Sequence, residues 1–249
     1  MNKITCKNCN NKFEGLYCNN CGQSADTRRL DYKFLFKNLR KNFLKYFHGG
    51  IFYSAVQLFK RPGHTIREYI EGKRVKHFEP IALLITLATL YGVLYHMFGI
   101  NLFVDGSANQ SASQTTNLNL INKWLSNNFS LATLLFVPIY SIASFIVFYK
   151  QRYNFIEHLY LNTFLGSQRI LLRLVLFPLL VFFNGTAQLK IILDVSIFLD
   201  VVLIIWSYKQ FFNKLAKGKA ILLSILSYAV FFVLFFIIAS AVLLFLHLV

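Results

Sequence analysis

Charge is scarce in this 249-residue chain, and acid scarcer still: 14% of residues are charged, with ten Asp and Glu against 26 Lys and Arg. That is too little charge to clothe a soluble domain of this size, which excludes an ordinary water-soluble globule. Enzyme fingerprints are missing as well. The chain has no P-loop, no Gly-x-Ser-x-Gly, no His-Glu-x-x-His and no dinucleotide-binding glycine pattern, so it points to no named enzyme class. Met1 to Asp31 is polar and lacks the apolar run of a signal peptide, so the N-terminus is expected in the cytosol.

What the chain does have is apolar surface: 56% hydrophobic residues, a mean hydropathy of +0.50, 27 Phe and 13 Tyr. Aromatic side chains suit both the hydrocarbon layer and its interfaces. Apolar stretches at 81–98, 131–149, 159–183, 189–206 and 220–249 can each cross about 30 Å as a helix of about 20 residues. Asn162, Gly166, Ser167, Gln168, Arg169 and Arg173 interrupt the third. It reads either as one long tilted helix or as an interfacial piece followed by a span from Ile170. The expected fold is an all-α polytopic membrane protein with about five transmembrane helices. A zinc ribbon (1–29) and a basic amphipathic juxtamembrane region (30–79) precede the transmembrane bundle (80–249).

Loop charges supply an orientation. Residues 1–79 hold 16 of the basic and six of the acidic residues, a net +10 out of +16. The loops at 150–156 and 207–219 carry Lys150, Arg152, Lys209, Lys214, Lys217 and Lys219, whereas 99–130 and 184–188 carry Lys123 alone. Five spans put every basic loop on one side, as the positive-inside rule requires. The expected location is the bacterial inner membrane, multi-pass, with a cytoplasmic N-terminus and a non-cytoplasmic C-terminus. Anionic lipid headgroups, rather than nucleic acid, are then the natural counter-charge. The polar run Asn101–Asn117 reads as a mobile loop, followed by a short interfacial helix anchored by Trp124.

Between ribbon and bundle, Asp31 is a suitable N-cap. Apolar residues then recur at Tyr32, Leu35, Phe36, Leu39, Phe43, Tyr46 and Phe47, with Lys33, Lys37, Arg40, Lys41 and Lys45 off that stripe. This predicts a basic amphipathic helix, lying in the membrane interface or packed on the protein itself, and ended by Gly49 and Gly50. Thr65 and Glu68 read as a capping box opening a second helix that Gly72 stops. Pro80 suits the first position of the first span.

All four cysteines fall in two Cys-x-x-Cys pairs, Cys6 with Cys9 and Cys18 with Cys21, eight residues apart. Two such knuckles can face one tetrahedral ion, and Gly22 suits the tight turn that follows. Zinc is the expected ligand, a single iron the alternative. Four protein ligands close the site, so its expected role is structural. Cytosolic placement argues against disulfides.

Ionisable groups inside the spans are functional candidates by default. They are Arg169, Arg173, Asp194, Asp200 and, near the outer end of the first span, His96. Arg173 and Asp200 match in depth on consecutive antiparallel helices and are expected to pair; the cluster read from the sequence is Arg173, Asp194 and Asp200. Glu157 and His158, at the entrance of the third span, suit either general acid–base work or a helix cap.

The ribbon cysteines, the run Arg61-Pro62-Gly63-His64-Thr65-Ile66-Arg67-Glu68-Tyr69-Ile70-Glu71-Gly72-Lys73-Arg74, and Phe78 with Pro80 resemble a bacterial membrane-protein family known as domain-of-unknown-function family 3667. Glu157-His158-Leu159 is similar to a second motif of that family. The resemblance implies architecture, with Arg61, Pro62, Gly63, Tyr69, Gly72 and Arg74 as its linker residues, and no activity. The functional expectation is a recruiting or scaffolding membrane protein, with a cytoplasmic partner bound through the ribbon. The alternatives are a small transporter or lipid-handling protein using the Arg/Asp cluster and, more weakly, an intramembrane enzyme.

Overall fold

The computed structural model describes residues 3–40, 50–100 and 128–248. The expected helix at Trp124, the polar loop before it and the second half of the amphipathic stretch lie outside these residues.

The chain begins with two short antiparallel strands, β1 (Ile4–Thr5) and β2 (Lys12–Phe13), registered Ile4 to Phe13 and Thr5 to Lys12. A Tyr17–Ser24 bridge closes a second loop. Helix α1 (Tyr32–Arg40) starts where Asp31 Oδ1 accepts the Phe34 amide at 2.7 Å. Its Phe34 and Leu35 pack on the bundle core while Tyr32 and Phe36 stay exposed, so only part of the apolar stripe is covered.

Two helices follow as a hairpin. Helix α2 (Ile51–Lys60) was not legible in the sequence, and α3 (Pro62–Glu71) corrects the capping-box reading. The helix opens at Pro62 with Arg61 as N-cap, so Thr65 lies inside its second turn, and Glu68 pairs instead with Arg61 and Lys73. Proline at the first position needs no partner for its nitrogen, and that preference outweighs the later Thr/Glu signal. Gly72, at φ 114°, ends α3.

Helix α4 (Pro80–Met97) has Pro80 first, with Glu79 accepting the Ala82 amide at 2.7 Å. Then come α5 (Phe129–Val147), α6 (Phe155–Phe182), α7 (Gln188–Phe211) and α8 (Lys217–Leu248). The third apolar stretch is therefore a single 28-residue helix, begun by a reciprocal Asn154/Glu157 capping box. α4, α6 and the Lys217–Val242 part of α8 are long and apolar enough to cross a membrane, and α5 is apolar over the shorter Leu131–Val147. This is a mostly helical membrane protein.

Helix α6 is the centre, packing against α4, α5, α7 and the hairpin. Gly166 allows close packing: a Cβ there would sit 3.1 Å from Leu84 of α4 and 3.5 Å from Val137 of α5. Asn184, just beyond α6, donates to the Gly99 carbonyl at 3.1 Å, so α4 and α6 run parallel. Gln168 donates to the Leu58 carbonyl of α2 at 2.8 Å. Gln168 lies about 20 Å along α6 from Phe155, so the hairpin leans well into the bundle.

Candidate functional site

The two cysteine knuckles are built alike. In the first, the Cys6 amide donates to the Asn11 carbonyl and the Asn10 amide to the Cys6 carbonyl, both at 2.9 Å; in the second, Cys18 with Gln23 and Gly22 with Cys18 repeat this at 2.8 Å. Each turn needs one left-handed residue, Asn10 (φ 60°) and Gly22 (φ 74°). The four sulfurs lie within 4.8 Å of one another, with Cys6 to Cys21 at 3.5 Å and Cys9 to Cys18 at 3.6 Å. Tetrahedral thiolates at about 2.3 Å from an ion stand about 3.8 Å apart, so the donor set fits one metal ion. Desolvation raises the Cys18 thiol, but the Cys21 and Asn20 amides and the neighbouring thiols outweigh it and hold it at about 6. This lowering favours the thiolate, the form that binds metal.

The ribbon is fastened to the bundle by the residues that leave it. Arg29 donates from Nε and Nη2 to both oxygens of Glu157, at 2.6 and 2.7 Å, and from Nη2 to the Arg152 carbonyl at 2.8 Å. That bonding holds the Arg29 guanidinium above its ordinary range. Leu30 is fully buried, and its carbonyl accepts from Asn154 at 2.8 Å. Sequence reasoning missed Arg29, because nothing local marks a pairing over 128 residues. Glu157 is both the helix cap and the anchor of this clamp.

The linker residues converge on the same joint. Arg61 Nε donates to Gln57 at 2.7 Å and its Nη2 to Glu68 at 3.2 Å, bracing the hairpin tip. Pro62 and Gly63 press α3 against the end of α7, where a Cβ on Gly63 would overlap the Ser207 carbonyl, Gln210 Cβ and the Phe211 amide. Arg67 donates to the Gln210 and Phe211 carbonyls at 2.8 and 3.2 Å, satisfying acceptors left open at a helix C-terminus. Tyr69 is buried against Tyr160 and Phe164. Arg74 lies 4.5 Å over Phe34, and donates to the Tyr69 and Arg28 carbonyls at 3.1 and 2.9 Å. A Cβ on Gly72 would sit 3.0 Å from Lys7 and 3.1 Å from Thr27, so the ribbon rests on the turn after α3.

Within the bundle, Arg173 Nη2 stands 3.2 Å from Asp200 Oδ2, with the Asp200 side chain buried. Asp194 is not in this cluster: it is exposed on α7, because six residues turn the helix far off the Asp200 face. Arg169 takes its place, with its guanidinium 4.4 Å over the Tyr140 ring. His158, Asn162, Arg169 and Arg173 are separated by four, seven and four residues, and so share one face of α6. Along that face His158 Nδ1 meets Ser144 Oγ at 2.9 Å, Asn162 donates to Ser144 at 2.9 Å, and Tyr208 donates to Asn162 at 2.8 Å. Three of the interruptions of the third apolar stretch, Asn162, Arg169 and Arg173, thus form a polar seam with His158, a pattern their 3.6-residue spacing could have revealed.

No curated protein and no solved structure matches this chain. Residues 48–92, which take in the hairpin and most of α4, match the family described as Protein of unknown function (DUF3667).

Proposed function

We propose that this chain is a multi-pass protein of the bacterial inner membrane whose ribbon, closed around zinc, is a fixed platform for recruiting a cytoplasmic protein. The observation that carries this reading is the clamp of Arg29 on Glu157. A ribbon held by two charge-assisted bonds to a buried carboxylate keeps one orientation on the bundle. Leu16 and Tyr17, 79% and 65% exposed, then offer an apolar contact at a defined place. Five crossings, with α5 and α7 counted as spans, put the ribbon in the cytosol and the end of α8 on the other side.

The test is a photo-crosslinking residue in place of Tyr17 in living cells. A defined cytoplasmic protein is captured by the intact ribbon, lost with Cys18→Ser, and retained with Asp200→Asn. Function that survives removal of residues 1–79 would sink the proposal. Metal analysis of the purified chain should find about one zinc per chain, falling below a tenth with Cys18→Ser. A reporter fused after Val249 should report the non-cytoplasmic side.

Transport or lipid handling is the second reading. It is favoured by three buried atoms without hydrogen-bond partners among the described residues, His158 Nε2, Arg169 Nε and Asp200 Oδ1. Groups of this kind require water or a ligand. Loss of function with Asp200→Asn, and tolerance of Cys18→Ser, would select this reading over recruitment. Both oxygens of Glu157 are already engaged, which leaves the enzyme reading with least support.

A further inference from the structure

A cleft of about 340 Å³ lies where the ribbon, the end of α3, the corner before α6 and the α7–α8 connection meet. It falls in the usual range of small-ligand pockets, about 300–1,000 Å³. Four cationic side chains line it, Lys7, Arg29, Arg152 and Lys214, with Glu71 and Glu157. These charges do not cancel. Glu157 is taken up by Arg29, and Glu71 stands 4.0 Å from Arg67. Lys7, Arg152 and Lys214 have no carboxylate partner among the described residues, and all three are exposed to solvent at the cleft.

The three come from segments far apart in sequence, so their meeting is a product of the fold. Lys7 is carried on the first cysteine knuckle, over the turn after α3. Arg152 is held in the left-handed conformation (φ 59°), with its carbonyl fixed by Arg29. Lys214 follows the end of α7. The floor is apolar: Phe211 and Phe212 are buried beneath the cleft, and Tyr153 packs on Phe211. Unneutralised cations brought together over an aromatic floor repel one another, and a bound polyvalent anion relieves that repulsion.

We propose that this cleft, between ribbon and bundle, binds a phosphorylated anion through Lys7, Arg152 and Lys214. A phosphate group matches the chemistry, with several acceptor oxygens for converging ammonium and guanidinium donors. It can come from a phospholipid headgroup at the bilayer surface or from a soluble phosphate compound. The site is distinct from the exposed ribbon surface of the recruitment reading and does not depend on it.

The experiment uses the full chain with its metal, in uncharged phosphatidylcholine nanodiscs, titrated with inorganic pyrophosphate and, separately, with short-chain phosphatidylglycerol. Saturable binding of one probe per chain is expected. It should weaken at least tenfold with Arg152→Ala plus Lys214→Ala and be unchanged with Lys219→Ala, outside the cleft. Both altered side chains are exposed and unpaired, so the unliganded melting temperature should match the wild type, and Lys214→Glu alone gives a second reading of the same loss. Binding of pyrophosphate identifies a soluble ligand, and binding of phosphatidylglycerol alone identifies the bilayer; each supports the site if the variants abolish it. Absence of saturable binding of either probe at millimolar concentration, or binding indifferent to the variants, overturns the proposal.

Discussion

Arg29 and Glu157 are 128 residues apart in sequence and meet through two hydrogen bonds, Nε to Oε1 at 2.6 Å and Nη2 to Oε2 at 2.7 Å. Glu157 is 3% exposed, and it also caps α6. Its carboxylate cannot reach water freely once Arg29 is gone.

Arg29→Ala should therefore loosen the ribbon. Arg29 itself is mostly exposed, so the expected cost is about 1–3 kcal/mol rather than that of a fully buried pair. Limited proteolysis should cut between the ribbon and α1 much faster in the variant, with α4 to α8 intact. Glu157→Gln should do the same and weaken the α6 cap besides. If the two changes combine additively in a double-mutant cycle, the clamp is not a real coupling.

The sequence was informative where chemistry is local. The cysteine spacing, the Asp31 cap, Pro80 at a helix start and Gly72 at a helix end are short-range signals, each found where its residues pointed. The hairpin was not legible in the same way. Ile51–Lys60 buries Ser54 and Leu58 and exposes Phe52, so its pattern resembles neither a soluble amphipathic helix nor a span. Arg29 and the Arg67 contacts with α7 depend on chain segments more than 120 residues apart, which no window can see. Asp194 and Asp200 share a helix but lie six residues apart, and that turn sends Asp194 outward.

Gly63 tests whether the family-matched segment is a packing element. Gly63→Ala adds a Cβ into backbone of α7, which cannot yield as a flexible side chain would, so a loss of about 1–3 kcal/mol is expected. Gly218→Ala, with nothing within 4 Å and no positive φ, is the matched control and should melt like the wild type. Melting in detergent distinguishes the two. Equal melting of both would mean that α3 does not press on α7 in solution.

His77 gives a pH dependence with a definite sign. Burial beside the Tyr53 and Tyr69 rings lowers its pKa from 6.5 to about 4, with Glu68 pulling it up and Arg61 pushing it down. The folded chain thus keeps His77 neutral while the unfolded chain takes up a proton below pH 6.5. Its contribution is present above 6.5 and is lost as pH falls toward 4, at up to about 1.4 kcal/mol per unit and less for residual solvent contact. Glu79, raised to about 7 by burial, acts oppositely in the same window, since its contribution is lost as pH rises through 7. The readout is therefore a difference: wild type should lose more melting temperature than His77→Gln between pH 7 and pH 5. Parallel curves would refute the assignment.

Arg173 and Asp200 carry the clearest intramembrane prediction. Their 3.2 Å contact neutralises an Asp that is 6% exposed, and Arg169 on the same α6 face adds a second positive charge nearby. Removing either partner strands the other in a low-dielectric bundle, so Arg173→Ala and Asp200→Ala should each destabilise by roughly 2–4 kcal/mol. Asp200→Ala should cost more, because it leaves both arginines unmatched. The double variant should be more stable than the sum of the singles predicts, by about 1 kcal/mol or more, since neither charge is then left opposite a gap. Membrane insertion and melting in detergent measure this directly. Single variants that insert and melt like the wild type would mean that the seam along α6 is solvated by water, and the pair would then be an accident of proximity.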